Sequence, residues 1–289
     1  MRYYEHWSQK AIWSYRIAAA SILVFACTFI WHRFFGAPAP LALKVSGGAV
    51  AAAAVSLTLA AAALVSIWNE GHLGAGRASF ALFLSLLVLA VPLWSLPDLL
   101  QLPRLYDVTT DTGSPPAFDR IGKIRQGQAN PARYEPSFGP LQTAAYPDIK
   151  PLYISRPIID VYSAVHEVVK SLNWKIIDEQ SPESAKTGYI EAVDRTFIFG
   201  FTDDVAIRIT GSPKTAKIDI RSSSRFGQHD LGRNAKRIRR FMAEVKARLA
   251  VIDRSERMER LAASREAAEK EEARRRGRGR RKQDDSDDD

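Results

Sequence analysis

The chain has 289 residues, a formal net charge of +9 and one cysteine, Cys27. A single cysteine excludes an intrachain disulfide and a cysteine-based metal cluster. The length allows about two domains, and the hydrophobic residues are concentrated in the first third, with a polar, charged remainder. The excess of Arg and Lys near the C-terminus can attract anionic lipid or nucleic acid but selects neither.

Three apolar stretches make residues 1–102 a predicted transmembrane region, and they cover residues 13–35, 45–68 and 78–100. Each is long enough to cross a hydrocarbon layer of roughly 30 Å. Tryptophans mark their ends, where indole rings prefer the headgroup region: Trp13, Trp31, Trp68 and Trp94. The spans carry no charge at their centres, which argues against an ion path. We interpret the region as an anchor and packing surface.

The second span is rich in small residues, including Gly47, Gly48 and two alanine runs. Small residues let neighbouring helices approach closely in lipid, so this span is predicted to be the central helix of the three. Pro92 and Pro97 in the third span lack the N–H donor of the helical ladder, and they predict a kink or an end there.

The basic residues that flank the spans give a small bias in orientation. With the N-terminus in the cytoplasm, four lie inside and three outside: Arg2, Lys10, Arg16 and Arg77, against Arg33, Lys44 and Arg104. Because the number of spans is odd, the C-terminal part is expected on the opposite side. This predicts a multi-pass inner (plasma) membrane protein of a bacterial cell envelope, with a periplasmic domain.

Residues 103–150 form the next segment, and between Pro103 and Pro151 it is interrupted by six prolines: Pro115, Pro116, Pro131, Pro136, Pro140 and Pro147. The prolines predict an extended, turn-rich arm or linker without regular elements. Its aromatic and apolar residues favour a strand-like arm that lies on the domain behind it.

Residues 151–252 are predicted to form an α+β domain. The expected elements are a strand at Leu152–Ser155, a helix from Pro157 to Asn173 capped by Ser155, strands at Trp174–Asp178 and Gly188–Arg195, and a continuation of the last strand through Thr196–Phe201. A hairpin follows, formed by residues 204–211 and 216–222. With Gly211 opposite Ala216, alternation pairs Ile209 with Ile218, Ile207 with Ile220 and Arg208 with Asp219.

After the hairpin, Asp230 is predicted to cap a long helix whose apolar residues recur every three or four positions as far as Ile252. The element order predicts a helix-grip-like α+β fold, an antiparallel sheet packed with two helices, behind an N-terminal three-helix transmembrane segment. Residues 253–289 are expected to continue this helix as a charged rod to about Arg276 and then to form a disordered tail.

Several segments of the domain form a recognisable set: YDVTTD, PPAF, YPDIKPL, GYIEA, FGFTDDVAIRI and, above all, IDIRSSSRFGQHDLGRNAKRIRRF. Together they resemble the domain of unknown function 1499 family. The resemblance covers roughly Pro103 to Leu249, and the Arg-rich tail lies outside it. It implies no activity and no catalytic residues, but only frequent attachment to membrane spans or export signals.

The candidate ligand-binding site consists of eight polar residues near the hairpin and the start of the long helix: Arg208, Asp219, Arg221, Ser223, Arg225, His229, Asp230 and Asn234. We expect them to converge. Arginines, hydroxyl groups and a helix N-terminus suit an anionic group such as phosphate or carboxylate. The structural alternative is that Asp219 pairs with Arg208, Asp230 only caps the helix and the serines end a strand.

The predicted function is that of a non-enzymatic, membrane-anchored envelope protein of unknown activity, whose α+β domain binds a ligand, lipid or partner protein. The alternatives are a hydrolase of an envelope component, using Ser222 to Ser224 with His229, and a structural assembly factor. No catalytic residue, metal site or cofactor is predicted. The expected partners are the lipid bilayer and an anionic lipid or envelope protein. Nucleic acid is not expected, because the tail lacks aromatic platforms for bases.

Overall fold

A computed structural model of the chain describes residues 6–125, 130–182, 187–196 and 198–284. Within these residues the helices are α1 (Gln9–Phe35), α2 (Ala39–Glu70), α3 (Ala75–Gln101), α4 (Arg120–Ile124), α5 (Phe138–Ala145), α6 (Ile158–Ser171) and α7 (Arg233–Asp284). The strands are β1 (Asp107–Thr109), β2 (Leu152–Ile154), β3 (Lys175–Gln180), β4 (Thr187–Arg195), β5 (Thr202–Gly211) and β6 (Ala216–Ser224).

Helices α1, α2 and α3 are long and apolar enough to cross a membrane, as the three predicted spans require. Their contacts are made by small side chains, and two hydrogen bonds join α1 to α2. Ser21 Oγ donates to the carbonyl of Ala49 at 2.7 Å, and Ser56 Oγ donates to the carbonyl of Ser14 at 2.8 Å. Large apolar side chains point outwards instead, as expected of a lipid-facing surface.

Two expectations for these helices need correction. Gly47 and Gly48 are exposed, with no neighbouring atom near the position of a Cβ, so the close packing is provided mainly by alanines and serines. Each helix contacts both others, and α2 is no more central than α1. Of the predicted kink or end in the third span, the end is wrong, because α3 continues through Pro92 and Pro97 to Gln101; the kink stays a prediction. A proline removes one donor, and the remaining hydrogen bonds hold a membrane helix together.

The first described residues, 6–8, lie at the end of the bundle opposite to the domain. The Ser8 N–H donates to the carbonyl of Leu73 at 3.0 Å, and the Leu73 N–H donates to the carbonyl of His6 at 3.0 Å. Leu73 belongs to the connection between α2 and α3. The domain follows the other end of α3, which agrees with the odd number of spans.

The domain contains an antiparallel sheet in the order β1-β6-β5-β4-β3, with β2 also paired to β6. The predicted hairpin register is confirmed: Gly211 lies opposite Ala216, and Ile209, Ile207 and Arg208 lie opposite Ile218, Ile220 and Asp219. Helices α6 and α7 pack on one face of the sheet, where Trp174 stacks on Phe241 with ring centroids 5.7 Å apart. This is the predicted α+β fold, an antiparallel sheet with two helices.

The arm lies on the sheet as expected, but it is more regular than its prolines suggested. Strand β1 pairs with β6, placing Asp107 opposite Ser223 and Thr109 opposite Arg221. Helices α4 and α5 were not predicted. Pro140 is the third residue of α5, and a proline in the first turn costs no hydrogen bond because the N–H there has no helical partner.

Two local predictions in the domain were wrong. Helix α6 begins after Pro157 without a side-chain cap, so Ser155 does not cap it. The described residues of the segment, 196 and 198–201, form a turn between β4 and β5 rather than a strand, and the Thr196 N–H donates to the carbonyl of Phe201 at 2.9 Å; residue 197 lies outside the described part. The aromatic residues suggested a strand, yet Phe199 and Phe201 pack against α1, where Phe29 meets Phe199 edge to face.

Helix α7 is one continuous helix of 52 residues. Its first half packs on the sheet through side chains such as Ile238, Phe241, Val245 and Leu249. It continues through Gly277 to Asp284 and so includes the first residues of the predicted disordered tail. Residues 285–289 lie outside the described part of the chain.

Candidate functional site

The eight predicted site residues lie in two groups on opposite sides of the sheet. Arg208, Asp219, Arg221, Ser223 and Arg225 alternate along β5, β6 and the residue after β6, and they face the arm. His229, Asp230 and Asn234 belong to the start of α7, on the helix side. The two groups therefore do not form one pocket, because residues of opposite parity on a strand point to opposite faces.

Arg221 is the centre of the arm-side group. Its guanidinium donates to both carboxylate oxygens of Asp107, at 2.6 to 3.2 Å, and to the carbonyls of Pro116 and Ala132. The side chains of Arg221 and Asp107 are 2% and 0% exposed. The guanidinium also lies 4.5 Å from the ring centroid of Phe118. Burial raises the pKa of Asp107, and Arg221 opposes this shift.

Arg225 shares a buried carboxylate with an arginine of the arm. Asp204 is fully buried and accepts hydrogen bonds from Arg225 at 2.7 Å and from Arg125 at 2.7 Å. Arg125 also donates to the carbonyls of Asn130 and Pro131. Strands β5 and β6 are thus joined to the arm by ion pairs.

Arg208 belongs to a four-residue network nearer the hairpin turn. Arg208 and Lys217 both donate to Asp219, at 3.0 and 3.1 Å, and both reach Asp111 of the arm. Burial raises the pKa of Asp111, but hydrogen bonds from the Ser114 N–H and Lys217 outweigh it, so the pKa lies below its ordinary value. The predicted cross-strand pair of Arg208 with Asp219 is therefore present.

A further buried carboxylate on the same face was not predicted. Glu191 of β4 is 1% exposed and accepts three backbone hydrogen bonds, from the N–H groups of Asp119, Arg120 and Ile121, at 2.7 to 3.0 Å. These donors belong to the first turn of α4 and have no helical partner. Glu191 therefore caps α4 from across the sheet.

On the helix side, Arg237 holds the end of the sheet to α7. Its guanidinium donates to Asp194 at 2.7 Å, to Asp203 at 2.5 Å and to Ser222 Oγ at 3.0 Å. Asn234 accepts a hydrogen bond from Ser222 Oγ at 2.8 Å and donates to the carbonyl of Tyr106. Burial lowers the pKa of Arg237, but Asp203 and Asp194 raise it by a larger amount, so the net shift is upward.

Asp230 and His229 have backbone partners. The Asp230 carboxylate accepts from the N–H groups of Gly232 at 2.8 Å and Asn234 at 2.9 Å, as predicted for a cap. Burial raises the pKa of Asp230. His229 Nδ1 accepts from the Leu231 N–H at 2.9 Å, and Nε2 lies 3.2 Å from the carbonyl of Leu102. Nε2 must therefore carry the proton, which leaves no ring nitrogen to activate a serine.

A cavity of about 340 Å³ lies where the three long helices meet the domain. Helix α1 contributes Phe25, Thr28, Phe29 and His32; α2 contributes Ala42, Leu43 and Ser46; and α3 contributes Val91 and Ser95. The turn between β4 and β5 adds Phe199 and Phe201, and the segment before α7 adds Phe226 and Leu231. Most of this lining is apolar, and five phenylalanines belong to it.

The charged residues of the cavity wall are Asp203, Asp230 and Arg233. Both carboxylates are already engaged, Asp203 by Arg237 and Asp230 by two backbone N–H groups. Arg233 is half-buried, and within the described part of the chain its guanidinium makes no hydrogen bond or ion pair. Leu231 has φ of +54°, a left-handed conformation that non-glycine residues adopt at some energetic cost and that clusters at functional sites.

The sequence did not predict this cavity, because its residues are distant along the chain. The usable signal was the pair of aromatic residues Phe199 and Phe201 in an interrupted strand pattern. Among the described residues no group of three or more His, Cys, Asp or Glu side chains is arranged to hold a metal ion. Whether the eight predicted residues bind a ligand stays a prediction.

Residues 107–245 match the model of the family described as Protein of unknown function (DUF1499). The match extends from β1 to the first part of α7 and covers the whole sheet. A comparison with curated proteins found no match. The domain built on this sheet belongs to the DUF1499 family.

Proposed function

We propose that this chain, with its DUF1499 domain behind three apolar helices, is a membrane-anchored protein that binds a lipid chain in the cavity between the helices and the domain. The observation that carries the proposal is the position of the cavity, whose wall combines side chains of α1, α2 and α3 with side chains of the domain. A ligand there would contact the bilayer and the domain at once.

The lining suits a hydrocarbon chain. Ligand cavities of proteins are mostly apolar with a few convergent polar groups, and they measure roughly 300–1,000 Å³. The present cavity is at the lower end, at about 340 Å³, which favours one chain over a whole two-chain lipid. Phe25 and Phe29 lie within α1, below its end at Phe35. A chain entering from the lipid would therefore meet the aromatic residues first.

The arm-side group is a less suitable ligand site than the cavity. Arg208, Arg221 and Arg225 each donate to a buried carboxylate of the domain. A ligand would have to displace these carboxylates, and breaking a buried ion pair costs about 3–5 kcal/mol. A lipid chain in the cavity would displace no buried carboxylate.

Photo-crosslinking tests the proposal on the full chain in phosphatidylcholine nanodiscs. The probe is a phosphatidylcholine with a diazirine on one acyl chain, and labelled peptides are mapped by mass spectrometry. We expect labelling of the cavity face of α1 around Phe25 and Phe29. Ser95→Phe should reduce it severalfold by filling the cavity, because the Ser95 hydroxyl bonds only the Val91 carbonyl of its own helix.

The matched control is Thr58→Phe. Thr58 is also a hydroxyl residue that bonds a carbonyl of its own helix, but it is exposed on α2 and does not line the cavity. Its labelling should equal that of the wild type. Uniform labelling of all lipid-facing surfaces, unchanged by Ser95→Phe, would contradict the proposal.

For location, we propose the inner membrane of a bacterial envelope with the domain on the periplasmic side. The support is the small excess of Lys and Arg on the N-terminal side of the spans and the opposite placement of the N-terminus and the domain. A topology reporter fused after Asp289 tests it, and a reporter active only in the cytoplasm would reverse the orientation.

A second candidate function is that of a structural assembly factor. It is favoured by the number of arm-to-sheet ion pairs, which make the domain a rigid platform for a partner envelope protein. In that case, Arg208→Ala and Arg221→Ala would disturb folding without affecting lipid labelling in the variants that still fold.

A further inference from the structure

We infer that the lipid held in the cavity is anionic, with its charged head at Arg233 and its chain towards the phenylalanines of α1. The inference rests on the proposed function and adds the chemistry of the ligand head. The apolar wall suits the chain of a zwitterionic or uncharged lipid equally well. The charged residues of the wall therefore determine which headgroup is preferred.

The two carboxylates of the cavity wall already have hydrogen-bond partners within the domain, whereas the guanidinium of the wall has none among the described residues. Asp203 and Asp230 contribute two carboxylates, but each is neutralised or hydrogen-bonded within the domain. Arg233 lines the same cavity, and within the described residues its side chain has no carboxylate partner. A half-buried guanidinium without a partner favours a phosphate or carboxylate, which it can bind through two parallel hydrogen bonds.

Arg233 differs from other positive groups of the domain that already have partners. Other arginines of the domain core, including Arg125, Arg221 and Arg237, are all paired with aspartates. The backbone N–H groups at the start of α7 are occupied by Asp230 and His229, so the helix N-terminus offers no competing anion site. Arg233 is thus the charged group left available at the polar end of the cavity wall.

Two contacts between the domain and the ends of the long helices place Arg233 near the membrane surface. Phe201 on the domain side contacts His32 near the end of α1, with ring centroids 5.1 Å apart. His229, four residues before Arg233, is bound to the carbonyl of Leu102 just beyond the end of α3. Arg233 therefore lies at the level where the helices end, which is where headgroups of the facing leaflet are found.

The test compares three probes that carry the same diazirine-labelled chain: phosphatidylcholine, phosphatidylglycerol and palmitic acid. In nanodiscs of unlabelled phosphatidylcholine, the anionic probes should label the cavity roughly tenfold more than phosphatidylcholine, the effect of one charged hydrogen-bonded pair. If only phosphatidylglycerol is preferred, the head is a phosphate without a neighbouring ammonium group, since phosphatidylcholine carries a phosphate as well. If only palmitic acid is preferred, it is a carboxylate.

Arg233→Gln should bring the three probes to equal labelling, and Arg233→Lys should keep most of the preference. The matched control is Arg240→Gln, which removes the same charge from an exposed position of the same helix outside the cavity wall. It should behave as the wild type.

The outcomes separate the two proposals. Equal labelling by all probes in the wild type, still blocked by Ser95→Phe, overturns the anionic head and leaves the lipid cavity standing. An equal loss of preference in Arg233→Gln and Arg240→Gln also overturns it, because the effect is then one of net charge. Labelling that Ser95→Phe does not reduce for any probe contradicts the proposed function itself.

Discussion

Replacing Arg221 by methionine should strongly destabilise the domain. The change removes the cation and leaves the carboxylate of Asp107 buried with no charge partner. The pair is 2% and 0% exposed, and the arginine also donates to the carbonyls of Pro116 and Ala132. Removing one member of a buried pair costs about 3–5 kcal/mol. With a urea m-value of about 2 kcal/mol per molar, the unfolding midpoint should fall by roughly 2 M.

The assay is urea unfolding of the full chain in nanodiscs, with the surviving domain measured by pulse proteolysis. The double variant Asp107→Leu with Arg221→Met should recover at least half of the loss, since no unpaired charge remains buried. Arg239→Met is the control: Arg239 pairs with Asp148, but the two side chains are 43% and 54% exposed, so the loss should stay below about 1 kcal/mol.

A loss of less than about 1 kcal/mol for Arg221→Met would refute this reasoning. It would mean that the guanidinium is not committed to Asp107 and remains free to bind a ligand, as first predicted for the arm-side group. A double variant less stable than Arg221→Met would equally contradict it.

Three further predictions concern the arm, the start of α7 and pH. Glu191→Ala should lower the free energy of unfolding by about 2 kcal/mol and speed hydrogen exchange in α4, because three backbone donors lose their acceptor; unchanged exchange would disprove the cap. Gly232→Ala should cost more stability in a thermal melt than Gly227→Ala, since both have positive φ but only at Gly232 would the new Cβ lie 2.7 Å from a Leu102 methyl; equal losses would contradict it. The stabilisation from Asp111, whose folded pKa is lowered, should be present above about pH 4 and be lost as the pH falls through the folded pKa; Asp111→Asn should flatten this dependence, and an unchanged slope would rule it out.

Local periodicity made part of this molecule predictable. The alternation of isoleucines in β5 and β6 fixes which residues face the helices, and the turn fixes the pairing of Gly211 with Ala216. Asp230 could be identified as a cap because its type and its place before an amphipathic run are local features.

Long-range pairing could not be predicted in the same way. Asp107 and Arg221 are 114 positions apart, and no spacing rule relates them. Arg208, Arg221 and Arg225 were recognised as candidate site residues near the hairpin. Some of the carboxylates that bind them belong to the arm, whose prolines suggested a linker. The cavity was missed for the same reason, because it takes its wall from three helix ends, a turn and the start of α7.

The length of α7 places its last residues far from the cavity. At 1.5 Å per residue, its 52 residues extend about 78 Å, and its first residue, Arg233, belongs to the cavity wall. Side chains of its first half, including Ile238, Phe241 and Val245, hold that half on the sheet. A second protein bound to the other half would therefore be attached firmly to the domain while lying well away from the cavity.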